Sequence, residues 1–333
     1  MREGVNPEKN KEEINLKKQH RVVVVFYIPN IQEDYYTQAL QVLDNCLHSL
    51  TKTINPETTN ITLINNNSIK DSESVVKKYL DKIDKYVLYG QNRGKVYAVI
   101  NEVRSVFEPF VTISDADVLF FKGWENAVFD VFQYHPKAGI VTPLPSQYSA
   151  LNFNSAVIFD SFFTQKLRYG KIVSDEDVDL FLKGTNNEAL VNTSFKYNWK
   201  ERQFYLDGKV KAILGATHFI ATYKSALFKN QSSFPEIKFK NGYEEKFMDC
   251  LAEERGLYRL STVKSFAYHL GNRIDDEANK LNYDNLQLIQ PSVFETIYLK
   301  DKYIFNHVLY FIKSLFLKVF KMHIKIKKGT KNR

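Results

Sequence analysis

The chain has 333 residues, 25 of them Phe and 20 Tyr, enough for one large domain or two and far from a disordered or fibrous composition. Its net charge of +8 sits at one end: residues 302–333 hold nine Lys or Arg and no acid, so the remainder carries −1, which excludes a surface built for nucleic acid. The two cysteines, Cys46 and Cys250, give neither a disulfide framework nor metal-ligand spacing and fit a reducing compartment.

Residues 1–20 are polar and charged, without the apolar segment of a secretion signal, and are expected to form a flexible leader. No apolar run approaches the roughly 20 residues of a membrane-spanning helix, so the expected location is cytoplasmic. Arg21 to Ile28 is a continuous β-branched run ending at Pro29-Asn30, the pattern of a strand buried on both faces. Leu40, Leu43, Leu47 and Leu50 then follow at helical spacing. Asn60 to Ile64 predicts a second strand, closed by Asn65-Asn66-Asn67-Ser68; a helix from Ser72 to Leu80 and a strand from Lys85 to Tyr89 come next. Gly90 to Gly94 is a turn, Lys95 to Phe107 is helical, and Phe110 to Ile113 is a fourth strand.

That strand breaks into Ser114-Asp115-Ala116-Asp117 before the apolar run Val118 to Phe121. Two carboxylates in apolar sequence are costly to desolvate without a cation or hydrogen bonds. Ligands of open α/β sheets bind just outside the carboxyl ends of the strands. The alternation over these 100 or so residues predicts a doubly wound, mostly parallel sheet flanked by helices. Its turns at Pro29, Asn65–Ser68, Asn92 and Asp115 then line one crevice.

Beyond Trp124 the pattern loosens. Ala138 to Thr142 predicts a strand; residues 160–212 are polar, with the acids Asp175, Glu176, Asp177 and Asp179 expected in a solvated loop. Ala212 to Thr222 returns to strand-like sequence, Glu244 to Glu254 to a helix stopped at Gly256, and Ser265 to His269 to a last strand.

These pieces, in this order, resemble the inverting, metal-dependent, nucleotide-sugar glycosyltransferases of the family-two type, with the GT-A fold. The resemblance covers residues 21–275. It is carried by the first strand, the Asn65–Ser68 turn with Asp71 and Ser72, Asn92-x-Gly94-Lys95 with Ala98 and Asn101, Asp115-Ala116-Asp117, and Gly242-Tyr243-Glu244-Glu245 with Gly256 and His269. It implies a sugar transferred from a nucleoside-diphosphate donor, UDP-linked by preference, to an acceptor hydroxyl with inversion. Asp117, Asp115 and His269 would hold Mn²⁺ or Mg²⁺, with Asp115 also near the ribose. Glu245 would be the general base, supported by Glu244. Asn66, Asn92, Lys95, Asn101, Trp124 and His218 would line the substrate sites, and residues 160–212 would be an insertion on the acceptor side. The sequence departs from the family pattern in carrying asparagines where a base-binding carboxylate is usual, and Glu-Glu where Glu-Asp is usual.

Residues 276–333 form the third segment. From Val308 on, at 100° per residue, Val308, Phe311, Ile312, Leu315, Phe316, Val319, Met322 and Ile326 share one side of a helix, and Lys313, Lys318, Lys321, Lys325, Lys327 and Lys328 the other, with Leu317 and Ile324 as exceptions. This predicts an interfacial helix on an anionic membrane surface. With the resemblance, it implies a peripheral enzyme on the inner membrane face, acting on a glycan or lipid-linked acceptor in bacterial surface glycan or lipopolysaccharide assembly. Two rival readings remain at this level. A nucleotidyltransferase would want a glycine-rich loop where Pro29-Asn30-Ile31-Gln32-Glu33 stands. A non-catalytic nucleotide-binding, membrane-associated module would bind without turnover.

Overall fold

The computed structural model describes residues 4–6, 18–192, 198–229, 244–280 and 307–329. Strands β1 (His20–Phe26), β2 (Thr59–Asn65), β3 (Lys85–Leu88) and β4 (Phe110–Asp115) form a parallel block in the order β3-β2-β1-β4. The continuous apolar run of β1 has the cause expected of it. Val22, Val24 and Phe26 enter one core while Val23 and Val25 enter a second on the opposite face, as the two-residue period of a strand requires.

Helices cover both faces. Helix α1 (Ala39–Thr53) lays Leu43, Cys46, Leu47 and Leu50 on the first core. A short α2 (Ser72–Val76) continues as a 3₁₀ turn, Lys77–Lys82. Helix α3 (Lys95–Val103) lays Ala98, Val99 and Val103 on the second core, and ends four residues before the expected Phe107. Helix α4 (Trp124–Tyr134), which the sequence reading did not anticipate, adds Val128, Phe129 and Phe132 to the first core.

Past β5 (Val118–Phe120) the sheet becomes mixed. Beside β4 lie β10 (Ile220–Lys224), β6 (Ala138–Thr142), β11 (Tyr258–Ser261), β9 (Ala212–Leu214), β8 (Gln203–Leu206) and β7 (Leu167–Gly170). Among the described residues only β10, β9 and β7 run against the others, so seven of these ten strands share one direction. The single strand-like run Ala212–Thr222 is thus two strands. It breaks at Gly215, whose φ of +116° and close approach to the Ser146 carbonyl suit only glycine.

Residues 160–212 are not an appendage to the sheet. They supply β7, β8 and α6 (Asp175–Thr185), and the acids 175–177 form the first turn of α6, where Ser174 caps the Asp177 amide. The expected helix from Glu244 opens as a π turn, Glu245–Asp249, before α7 (Cys250–Glu254), and Gly256 closes it with φ +65°. Strand β12 (Ala267–His269) leaves the main sheet and pairs antiparallel with β5; a short α8 (Asp276–Lys280) follows.

Helix α9 (His307–Gly329) docks on α5 (Ser155–Phe163). Phe316 packs 5.3–5.6 Å, ring to ring, from Phe159, Phe162 and Phe163; Phe320 reaches Phe204; Leu317 is buried. Lys313 is buried beneath the helix, 2.8 Å from Asp160, whose other oxygen takes Lys137 and the Tyr258 hydroxyl. Two assignments of the helical wheel are corrected here. Phe316 and Lys313 face the protein, because an aromatic shelf and the half-buried Asp160 carboxylate are there to receive them; Leu317, an exception on the wheel, is part of the docked face. Val308, Phe311, Ile312, Leu315, Val319 and Met322 remain exposed as a stripe on the other side. Ile326 and Lys325, Lys327 and Lys328 lie outside the residues whose side chains are described.

Candidate active site

Asp115 is the last residue of β4, and Ala116-Asp117 form the turn into β5. The pairing of β5 with β12 sets His269 opposite Val118, and the Leu270 amide donates to the Asp117 carbonyl at 2.7 Å. Backbone pairing therefore delivers a histidine from the far end of the chain to the acidic turn. Its Nε2 lies 3.4 Å from Asp117 Oδ2, and its Nδ1 donates to the Gly184 carbonyl at 2.8 Å. Burial pushes the ring's pKa down, but the Asp117 carboxylate outweighs it and raises it to about 9.

The other carboxylate has a different partner. Lys95 Nζ lies 2.5 Å from Asp115 Oδ1. Burial alone depresses the lysine, yet Asp115 holds it above its ordinary value. Burial pushes Asp115 up, Lys95 pulls it back, and neighbouring Asp117 adds to the rise.

Among the described residues no three His, Cys, Asp or Glu side chains enclose a metal by themselves. Asp117 Oδ1 is nevertheless buried without any hydrogen-bond partner, a costly state for a carboxylate oxygen. With His269 Nε2 beside the same carboxyl, the donor set fits a divalent cation whose remaining ligands come from a substrate.

A pocket of about 370 Å³ opens in front of this turn, at the carboxyl ends of the parallel strands. Val25–Ile28, Tyr35, Tyr36, Val42 and Leu43 make its apolar side; Asn66, Asn92, Gly94, Lys95, Asp115, Asp117 and Glu244 make its polar side. Asn92 Oδ1 accepts from both the Gly94 amide and Asn66 Nδ2 at 2.9 Å, and Asn66 Oδ1 accepts from the Arg93 amide at 3.0 Å. The two asparagines thus hold the loop before α3 by their own hydrogen bonds. Gly94, with φ +81°, starts the helix. The segment after β12 forms a further wall: Asn272 donates to the Tyr35 carbonyl at 3.1 Å, Arg273 pairs with Asp34 at 2.5 Å, and the Ile274 amide donates to Gln38 at 2.7 Å.

The expected site residues divide accordingly. Asn66, Asn92, Lys95, Asp115, Asp117 and Glu244 line the pocket, and His269 stands behind Asp117. Glu245 is exposed and is not part of the lining. Gly242 and Tyr243 lie outside the described residues. Asn101 is not in the lining; it donates to the Tyr89 hydroxyl at 3.1 Å. Trp124 is fully buried at the start of α4, edge-on to His20 and against Phe120, so it belongs to the core because its helix packs under the sheet. His218, between β9 and β10, is 44% exposed, with Nδ1 3.6 Å from Asp249. Asp249 is buried where the π turn carries it inward, 3.3 Å from the equally buried Arg259.

The sequence reading missed Tyr35, Tyr36 and Asn272 as pocket residues. The tyrosine doublet in the loop after β1 was a signal for the first two; Asn272 had only its position three residues after His269.

Residues 27–182, a little under half of the chain, match the family model described as Glycosyl transferase family 2. No curated protein matches the sequence. Among solved structures, the chain is similar to TarS 1–349 of S. aureus, at 15% identity and a TM-score of 0.44, covering 75% of this chain and 60% of that one. It is also similar to the mannosyltransferase PcManGT from Pyrobaculum calidifontis in complex with GDP-Man and Mn²⁺, at 14% identity and a TM-score of 0.42, covering 77% and 59%. TarS 1–349 in complex with UDP-GlcNAc gives 16% identity and 0.42, covering 79% and 61%. The chain thus spans about 60% of the length of these structures.

Proposed function

We propose that this chain is a metal-dependent glycosyltransferase, moving a sugar with inversion from a nucleoside-diphosphate donor to an acceptor hydroxyl. The observation that carries the reading is the convergence of Asp115, Asp117, Lys95 and Glu244 on one pocket at the carboxyl ends of the parallel strands. The family match over residues 27–182 supports it.

In this reading the apolar side with Tyr35 and Tyr36 receives the nucleoside, UDP being the favoured donor nucleotide, and Asn66 and Asn92 hold the wall against which the base rests. The amides at the start of α3 and the Lys95 ammonium face the diphosphate, since a helix N-terminus favours an anion. Asp117 and His269, with Asp115, would hold Mn²⁺ or Mg²⁺. When bound, the cation would supply charge neutralisation to the departing diphosphate. Glu244, as the acid on the pocket wall, takes the proton of the attacking hydroxyl; this exchanges the roles that the sequence alone gave Glu244 and Glu245. His218, partly exposed beside Asp249 though not in the pocket lining, would face the acceptor.

The same proposal extends to location. No helix among the described residues is long and apolar enough to cross a membrane. The exposed stripe of α9 beside Lys318, continuing into a basic C-terminus, suits the surface of an anionic bilayer on its cytoplasmic side. That placement would suit a lipid-linked glycan acceptor, as in bacterial surface polysaccharide assembly.

The test is donor hydrolysis by the purified chain across a panel of nucleotide sugars, with Mn²⁺ or with chelator. Turnover of one donor only with metal, abolished in Asp117→Ala, is expected. Glu244→Gln should lower transfer by about 10²–10⁴-fold, the usual worth of a general base, while Glu245→Gln stays near wild type. Absence of both turnover and nucleotide binding sinks the proposal; binding without turnover in the presence of acceptors favours a non-catalytic module.

A further inference from the structure

Resting on the assignment of the pocket to a nucleoside-diphosphate donor, we infer that Lys95 is an exchangeable counter-ion that couples nucleotide binding to cation binding. In the free protein it neutralises Asp115. A bound diphosphate draws it away, and Asp115 becomes available to the cation.

The two carboxylates of the acidic turn are in different states. Asp117 has His269 on one oxygen and, among the described residues, no hydrogen-bond partner on the other. Asp115 has an ammonium group 2.5 Å away, and both partners are about three-quarters shielded from water. A lysine cation and a divalent cation on one carboxylate repel each other, the more so with little water between them. Bare cation binding therefore has to displace Lys95 or forgo Asp115.

A diphosphate changes the balance. Lys95 is the first residue of α3, directly after Gly94, and lines the same pocket as Asp115. A phosphate at that helix start offers the ammonium a second anion within reach of its flexible four-carbon stem. Each ligand then favours the other, and the coupling is reciprocal. A purely structural lysine would keep its place on Asp115 whatever the pocket held.

The experiment measures Mn²⁺ affinity of the full chain by electron paramagnetic resonance, without nucleotide and with saturating UDP, or GDP where UDP does not bind. In wild type, nucleotide should tighten Mn²⁺ binding. In Lys95→Met, binding of bare Mn²⁺ should tighten on the order of tenfold, within the usual range of coupling between sites, and the gain from nucleotide should shrink by the same factor. Lys95→Arg keeps the charge and should resemble wild type toward bare Mn²⁺. Unchanged or weaker bare Mn²⁺ binding in folded Lys95→Met overturns the inference. A second readout needs no variant: the Lys95 ammonium resonance of the wild-type chain should move when UDP is added without metal, and a stationary resonance under saturating nucleotide also overturns it. Failure of every nucleotide to bind wild type overturns instead the donor reading on which the inference stands.

Discussion

Replacing Arg259 by Met tests whether the floor beneath the site is held by a buried charge pair. Arg259 and Asp249 are both almost fully shielded from water, 3.3 Å apart, and the guanidinium also donates to the Asn152 carbonyl at 3.0 Å and the Ala216 carbonyl at 2.8 Å. Met keeps much of the volume but leaves Asp249 as a buried carboxylate with His218 and the weaker field of Lys95 as its compensation, and strips two carbonyls of a donor. Breaking such a pair from one side is worth about 3–5 kcal/mol. At ~2 °C per kcal/mol for a chain of this size, the melting temperature should drop by roughly 6–10 °C.

The pH dependence makes this prediction specific. In the native protein burial pushes the Asp249 carboxyl up, but Arg259, with His218 and Lys95, overrides it and holds it below its ordinary value. Without Arg259 the burial contribution is opposed only by His218 and Lys95, and the carboxyl rises above its unfolded value. The folded variant then binds more protons than the unfolded chain in the window above the ordinary carboxylate range, so its stability falls as pH rises through that window. Urea unfolding at pH 5 and pH 7.5 should therefore show a smaller deficit against wild type at pH 5. A second substitution, Asp249→Asn, should recover part of the loss at pH 7.5. A deficit below about 1 kcal/mol, or an equal deficit at both pH values, would falsify the account, since an uncompensated buried charge predicts neither.

Gly184→Ala should act on His269 from behind, because a Cβ there would stand 2.7 Å from the His269 carbonyl and 3.0 Å from the Tyr268 ring. Overpacking of this kind is worth about 1–3 kcal/mol, and the imidazole pKa followed by NMR should fall from about 9 in wild type as the ring leaves Asp117; an unmoved titration refutes the placement. Docking of α9 should fail in acid: burial pushes Asp160 up, but Lys137 and Lys313 hold it below its ordinary value. Its contribution is thus present above the unfolded carboxylate range and lost as pH falls through the lower folded value, below about pH 4. Hydrogen exchange of α9 amides at pH 6 and pH 3 checks this, and Asp160→Asn should remove the difference. Leu315→Glu with Val319→Glu should weaken sedimentation with anionic vesicles at least about tenfold, given ~1.5–3 kcal/mol per buried aliphatic side chain, while leaving α9 docked; undiminished binding counts against the membrane face.

The parallel half was legible because each element there carries one unambiguous period: a β-branched run for β1, leucines at helical spacing for α1, an apolar run broken by acids for β4. Where elements are short and joined across the chain, the signal is weak. Strand β11 and helix α4 were passed over, and β9 and β10 were merged, because only tertiary pairing and the positive φ of Gly215 separate them. Within the site, Asp115 and Asp117 announce themselves by being acids in apolar surroundings. Trp124 misled because proximity to Asp117 in sequence says nothing about which face of the sheet its helix covers. Lys313 and Phe316 misled for a similar reason: a wheel orders the faces of a helix but does not say which one the protein has prepared a seat for.

The small sheet of β5 and β12 has a consequence for the order in which this molecule becomes competent. Asp115, Asp117 and Lys95 come from the first half of the chain, whereas His269 reaches them only when β12 finds β5, the kind of distant pairing that folds slowly. On a ribosome, the acidic turn emerges long before its histidine. A nascent chain would thus carry the apolar wall and the acidic turn before His269 and Asn272 complete the site, and on the proposed reading metal affinity would gauge whether β12 has been laid down.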